Sequence, residues 1–288
     1  MSQPAPSHGR AVALLAATAL LWSSSGLFVK LLDWSPLAIL SGRSLIAAVV
    51  FLAYLLRLGL LRVRYTRWHV LGALGYTFAQ LLFVTATKLT TAANAIFLQY
   101  SSPIWVIVLA ALILRERPQR ADWLAMAGIF SGLLLFFGDN LSFGGWAGSL
   151  AAIGSGVALA LMIVATHRQT TGTPAHTLLL GSLISLLIGL PGLSQAHWSL
   201  GNLAIILYLG ACQIGLAFVL YSIAAPRLPA LETTLILTLE PVLNPLWVFL
   251  ALGEAPGALA LAGGLIVLGA IVLRARAATR PPTQPAAP

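Results

Sequence analysis

Charge is the first thing this sequence lacks. Asp, Glu, Lys and Arg make up only 8% of its 288 residues, against 59% hydrophobic residues. Mean hydropathy is +0.94. A soluble domain is about a quarter charged, so a chain this poor in charge cannot coat a water-facing surface. Cysteine is nearly absent. The single Cys212 excludes an intrachain disulfide and any multi-cysteine metal site. No glycine-rich loop ends in Lys-Ser or Lys-Thr, so no nucleotide site is expected to drive the protein. Energy must then come from a gradient of substrate or protons. HExxH is missing, and so are paired intramembrane aspartates, which removes the usual equipment of intramembrane proteolysis. His8, His69, His167, His176 and His197 are scattered near the ends of apolar runs. They are expected at interfaces rather than on a metal, and no cofactor is expected.

What remains is apolar length. Segments of about 17–25 residues cross a bilayer as helices. Ten fit: 11–31, 36–56, 68–88, 92–114, 121–138, 145–167, 174–192, 202–222, 230–252 and 256–275. The start, "SHGRAVALLAATALLW", imitates a signal peptide, but its apolar run continues past Leu27 and is expected as an uncleaved first helix. With a cytoplasmic N-terminus, thirteen of the sixteen basic residues fall in inside segments. Lys30 and Lys88 fall at outer helix ends, and Arg43 lies within a span. The positive-inside rule then puts both termini in the cytoplasm. The formal charge of +9 is a topology signal in this setting, not the footprint of nucleic-acid binding.

Sliding the chain over itself by 138 residues lays Gly72 on Gly210, Pro103 on Pro241, Glu116 on Glu254 and Pro118 on Pro256. Two five-helix halves are expected, 1–140 and 141–276, followed by a disordered cytoplasmic tail at 277–288. Five is odd, so the second half enters from the opposite side. The expected fold is an all-α membrane protein of ten transmembrane helices in two inverted five-helix repeats. Such pairs hold two arrangements of similar energy, one open to each face, with a site near the midplane.

The chain resembles the drug/metabolite transporter superfamily, specifically its ten-helix EamA-type exporters. Trp22 and Lys30 in "WSSSGLFVK" resemble the family's Trp-Gly…Lys pattern, with Ser23 where the family has glycine. Pro36 and Arg43 match its Pro…Arg spacing, and the two Pro…Glu blocks match its repeated element. The nearest resemblance is to the aromatic amino-acid exporters. It implies export of small organic molecules by alternating access from a bacterial inner or plasma membrane. An exporter of hydrophobic organic cations is the same-class alternative, and a membrane enzyme or lipid-handling protein the different-class one. The partners expected are a small-molecule substrate and the lipid bilayer. A monomer is the simpler expectation. Gly128/Gly132 and Gly144/Gly148 allow close helix contact, best used within a half, with a weak homodimer as the alternative.

Polar residues inside apolar spans point to a site, because an ionisable side chain there costs about 2.5–3.5 kcal/mol on insertion scales. Glu240 stands about 15 Å into the ninth span at 1.5 Å per residue. It shares a face with Thr233 and Asn244. It is a candidate for binding a substrate ammonium or for carrying a coupling proton. Pro103, Pro241 and Pro245 remove backbone donors and are candidate hinges. Trp22, Tyr76, Gln80, Gln99, Tyr100, Ser102 and Gln213 complete the expected cavity lining. Arg43 reads first as structural, with a substrate carboxylate as its second role. Lys30 reads as snorkelling to the interface, and Glu116, Glu232 and Glu254 as structural acids beside helix ends. Trp34, Trp68, Trp146 and Trp198 read as an interfacial belt.

Overall fold

The structure, a computed structural model, describes residues 8–115, 120–139, 146–228, 233, 236–237 and 239–278. Among these, every regular element is helical. We number the rods α1 His8–Leu31, α2 Pro36–Arg57, α3 Arg67–Leu89, α4 Ala92–Ile113, α5 Arg120–Asp139, α6 Trp146–His167, α7 Pro174–Leu193, α8 Leu200–Ala224, α9 Leu239–Leu252 and α10 Ala258–Ala278. Seven of them, α1–α4 and α6–α8, are long and apolar enough to cross a membrane. The other three carry shorter apolar stretches, Trp123–Gly132, Leu239–Leu252 and Leu261–Leu273. Glu116, Pro118, Gly144 and Glu232 lie outside the described residues, as does the expected tail beyond Ala278.

The helix ends follow from local chemistry. Ser35 accepts from the Ala38 N–H at 3.3 Å, with Pro36 fixing the first turn of α2. Ser199 does the same for Asn202 in α8, and Thr91 for Asn94 in α4. Gly59, at φ +67°, ends α2 in the left-handed region, and the next N–H, from Leu60, returns to Leu55 O at 2.9 Å. Large side chains such as Leu124, Leu134, Leu265 and Leu273 point outward from α5 and α10, which fits a lipid solvent and no aqueous one.

Small residues set the packing. α3 lies along α6, α2 along α7 and α5 along α10. α3 also meets α7, α2 meets α8, α4 meets α6 and α9, and α1 meets α8 and α9. A methyl group on Gly75 would stand 2.6 Å from Met162 N, so α3 and α6 touch backbone to backbone. Gly128 and Gly132 face Ala270 and Gly263 of α10. Their contact is therefore not with another helix of residues 1–140, as the sequence suggested, because the glycine face of α5 meets a matching small-residue face late in the chain. Gly189 of α7 is pressed on α2, where an added Cβ would lie 2.5 Å from Leu37 O and 2.7 Å from Ser41 N. Backbone cannot yield there. We expect Gly189→Val to cost about 1–3 kcal/mol, a fall of about 2–12 °C in the melting temperature of the purified protein. An unchanged melting temperature would show that the two helices separate freely.

Candidate functional site

Three rods are interrupted near mid-length, and candidate residues sit at each interruption. In α1 the break falls at Ser24 within "WSSSG". Ser23 and Ser24 turn their hydroxyls onto Leu20 O and Leu21 O at 2.8 and 2.7 Å, which competes with the helical ladder. Trp22 precedes it. α4 breaks at Tyr100–Ser101, just before Pro103, which lacks the N–H that would continue the ladder. There the Ile104 N–H takes Ser101 O at 3.0 Å instead. α8 loosens into a π-helical segment, Leu209–Leu216, that carries Gln213. Interrupted helices of this kind recur at functional sites.

The end of the bundle holding loops 58–66 and 168–173 contains a cavity of about 540 Å³. Phe51, Tyr54, Met162, Leu178, Phe218 and Tyr221 form much of its wall, from α2, α6, α7 and α8. Phe218 is the aromatic hub. Its ring stands 5.1 Å from Trp22, 6.3 Å from Phe51 and 6.3 Å from Tyr76. Trp22 also meets Tyr221 at 5.6 Å. Trp22 and Tyr76, both expected in the lining, are thus joined through Phe218. Sequence reading missed Phe218, Tyr221 and Phe51. Only the three-residue spacing of Phe218 and Tyr221 on one face of α8 could have signalled them.

Glu240 lies in the first described turn of α9 and receives a hydrogen bond from the Tyr100 hydroxyl at 3.1 Å. Two candidates from different spans are thereby brought together at the α4 break. The other candidates disperse. Gln99 donates to Ser155 Oγ at 2.6 Å, and Ser155 in turn to Ala79 O at 2.8 Å, which ties α4 to α6 and α3. Asn244 is fully buried and donates to Ser25 Oγ at 3.2 Å, while its carbonyl oxygen lies over Gly26. Trp247 reaches Ser23 Oγ at 2.9 Å. Both α9 residues therefore grip α1 at its break. Ser102 and Gln213 are buried, and the Gln213 Oε1 has no hydrogen-bond partner among the described residues. Pro241 and Pro245 are buried in α9. Gln80 accepts from Arg43 Nη2 at 2.8 Å.

Three expectations change. Lys30 does not snorkel: its Nζ pairs with Glu254 Oε2 at 2.8 Å and donates to Thr90 O at 2.8 Å. Glu254 Oε1 accepts from the Ala92 N–H at 2.7 Å. One carboxylate thus joins α1, α4 and the end of α9, opposite the cavity. Trp34 is not interfacial either. It is 4% exposed, donates to His197 O at 2.9 Å, and meets Trp198 edge-on. His69 and His176 are buried, not interfacial. Each closes a Thr-x-x-His cap, in "TRWH" and "TPAH", where Nδ1 accepts from the Thr66 or Thr173 N–H. Their Nε2 atoms then cross to the other's loop, meeting Thr171 O at 3.1 Å and Leu60 O at 2.7 Å.

Comparison with known proteins places this architecture. The model of the EamA-like transporter family matches residues 9–138 and again 146–275. The chain belongs to that family, and is a multi-pass transporter rather than an enzyme. It is 25% identical to an uncharacterized transporter of Archaeoglobus fulgidus over 90% of this chain and 95% of that one. It is 28% identical to the threonine/homoserine exporter RhtA of Escherichia coli K12 over 73% of this chain and 68% of that protein. A solved crystal structure is similar in fold at a TM-score of 0.66 and 22% identity, covering 95% of this chain and 100% of that one.

Proposed function

We propose that this transporter exports neutral amino acids, including aromatic ones, from the cytoplasm of a bacterial cell across the inner membrane by alternating access. The observation that carries the reading is an asymmetry of access. A cavity with an aromatic wall lies at one end of the bundle, and a charged and aromatic closure at the other. The positive-inside rule puts the cavity end in the cytoplasm, because the loops there carry Arg57, Arg62, Arg64, Arg67 and Arg168. The structure is then the form that loads substrate from inside. Two inverted five-helix halves are supported by the twofold family match and by the packing. Adding five to each helix number maps α3–α6 onto α8–α1, α3–α7 onto α8–α2 and α4–α6 onto α9–α1. The pairs α2–α7, α4–α9 and α5–α10 map onto themselves.

In this reading Glu240 takes the substrate ammonium, held in place by the Tyr100 hydroxyl. Trp22, Phe218 and Tyr221 receive the side chain. Pro103, Pro241 and Pro245 serve as the points where α4 and α9 flex. A relative that is a threonine/homoserine exporter supports amino acids as the substrate class. Counterflow in proteoliposomes tests it. With unlabelled tryptophan or threonine inside, labelled amino acid is expected to accumulate transiently and saturably. If neither accumulates while a hydrophobic organic cation does, the substrate class is wrong and the carrier architecture stands.

A further inference from the structure

One buried cluster beside the cavity wall has no role in the reading above. Arg43 lies in the middle of α2 and is 1% exposed. A guanidinium cannot shed its charge inside a protein, and a buried cation without an anion is costly. Yet among the described residues no carboxylate pairs with it. Its Nη2 donates to Gln80 O and Oε1 at 3.1 and 2.8 Å, and its Nε has no partner among the described residues. Tyr76 lies beside it, also 1% exposed. The Tyr76 hydroxyl lies close to Ser182 and Gln80, yet among the described residues neither it nor Ser182 Oγ has a partner at full hydrogen-bonding geometry. Buried polar atoms are almost always paired. Here three potential donors, on α2, α3 and α7, are left unsatisfied in one place.

All three can donate, and together they carry one positive charge. That is the complement of a carboxylate, whose two oxygens offer about four acceptor sites. The cluster also lies behind the cavity wall, since Phe51, Leu178 and Phe218 pack on Tyr76. We propose that Arg43, Tyr76 and Ser182 form a carboxylate subsite, which selects amino acids over the amines that lack a carboxylate. The inference rests on the amino-acid reading above and gives that reading the anion-binding half it otherwise lacks. The apolar part of the solute stays against Phe218, and the carboxylate replaces the missing partners behind it. Arginine suits the task, because its planar fork offers two parallel hydrogen bonds where a lysine offers a point charge.

The test compares tryptophan with tryptamine, which has the same ring and ammonium but no carboxylate. In Arg43→Gln the ratio of tryptophan to tryptamine counterflow is expected to fall about tenfold or more, and in Arg43→Lys by less. In parallel, indole-3-propionate, a carboxylate without an ammonium, is expected to raise the melting temperature of the wild type and not that of Arg43→Gln. A folded Arg43→Gln that keeps the wild-type ratio, or keeps that stabilisation, overturns the proposal. So does a wild type that indole-3-propionate fails to stabilise. Should Arg43→Gln not fold, Tyr76→Phe and Ser182→Ala each remove one donor. Each is expected to lower the ratio, or the stabilisation, by about threefold, and no change in either variant overturns the subsite. A wild type that moves no amino acid, yet shows stabilisation dependent on these residues, refutes the transport reading and leaves the subsite standing.

Discussion

Replacing Glu240 with glutamine is expected to lower amino-acid counterflow by roughly 30- to 4,000-fold while the protein still folds. The factor corresponds to about 2–5 kcal/mol, the cost of removing one member of a buried charge pair. The substitution keeps the shape, and the amide oxygen still accepts from Tyr100, whose hydroxyl lies 3.1 Å from the carboxylate. What disappears is the negative charge, and with it the partner of an incoming ammonium. Tyr100→Phe removes only a neutral donor, so its effect should be about 1 kcal/mol, or roughly fivefold. The same variant separates two roles. Counterflow moves no net proton, so a carboxyl that only carries the coupling proton is dispensable for it. Loss of counterflow together with gradient-driven flux identifies Glu240 with the substrate. Loss of gradient-driven flux alone identifies it with the proton. Retention of both would sink the site as drawn.

Glu240 was legible because its signal is local. A lone acid just ahead of two prolines in an apolar run has few uses, and the helix period alone put Asn244 on its face. The break in α4 was legible for a similar reason, from Pro103, whereas the break in α1, at a run of serines, was not foreseen. Nor was the π segment of α8. "LGACQIGL" is apolar and unremarkable in propensity, and its irregularity arises where Gly210 and Gly215 press against Ile46 and Val50 of α2. Tertiary contact writes that feature, and no local pattern records it.

Partnerships between distant residues were the harder part. Lys30 and Glu254 lie 224 positions apart, and each had a sufficient local explanation, one as a snorkelling cation and the other as an acid beside a helix start. The Thr-x-x-His caps were misread in the same way. A histidine near a span end suggests an interface, yet here the ring fills the cap and uses its far nitrogen on another loop. Asn244 shows the opposite error. It does share the Glu240 face, but its amide donates to Ser25 of α1, so at Asn244 that face meets a helix and not a solute.

The Lys30–Glu254 contact carries the second large effect. The two side chains are 19% and 24% exposed, and an ion pair that wet contributes little to folding by itself. Its weight lies in where it acts. Glu254 holds Lys30 of α1 and the first N–H of α4, while Lys30 holds Thr90 O, so three rods close together at the end opposite the cavity. If the two halves rock, the contacts of Glu254 with Lys30 and Ala92 exist only while that end is shut. Removing them must then favour the form open at that end, by the free energy they supply to the closed one alone. Glu254→Gln is expected to shift the balance by about 1–3 kcal/mol, roughly 5- to 150-fold. The reporter is Leu32→Cys in a chain with Cys212→Ala, labelled by a membrane-impermeant maleimide. Leu32 is fully buried beside the closure, so it reacts only when that end opens. Labelling in Glu254→Gln should rise by that factor. Equal labelling in wild type and Glu254→Gln would show that the closure is held by the packing of Trp34 and its neighbours, and that the ion pair only decorates it.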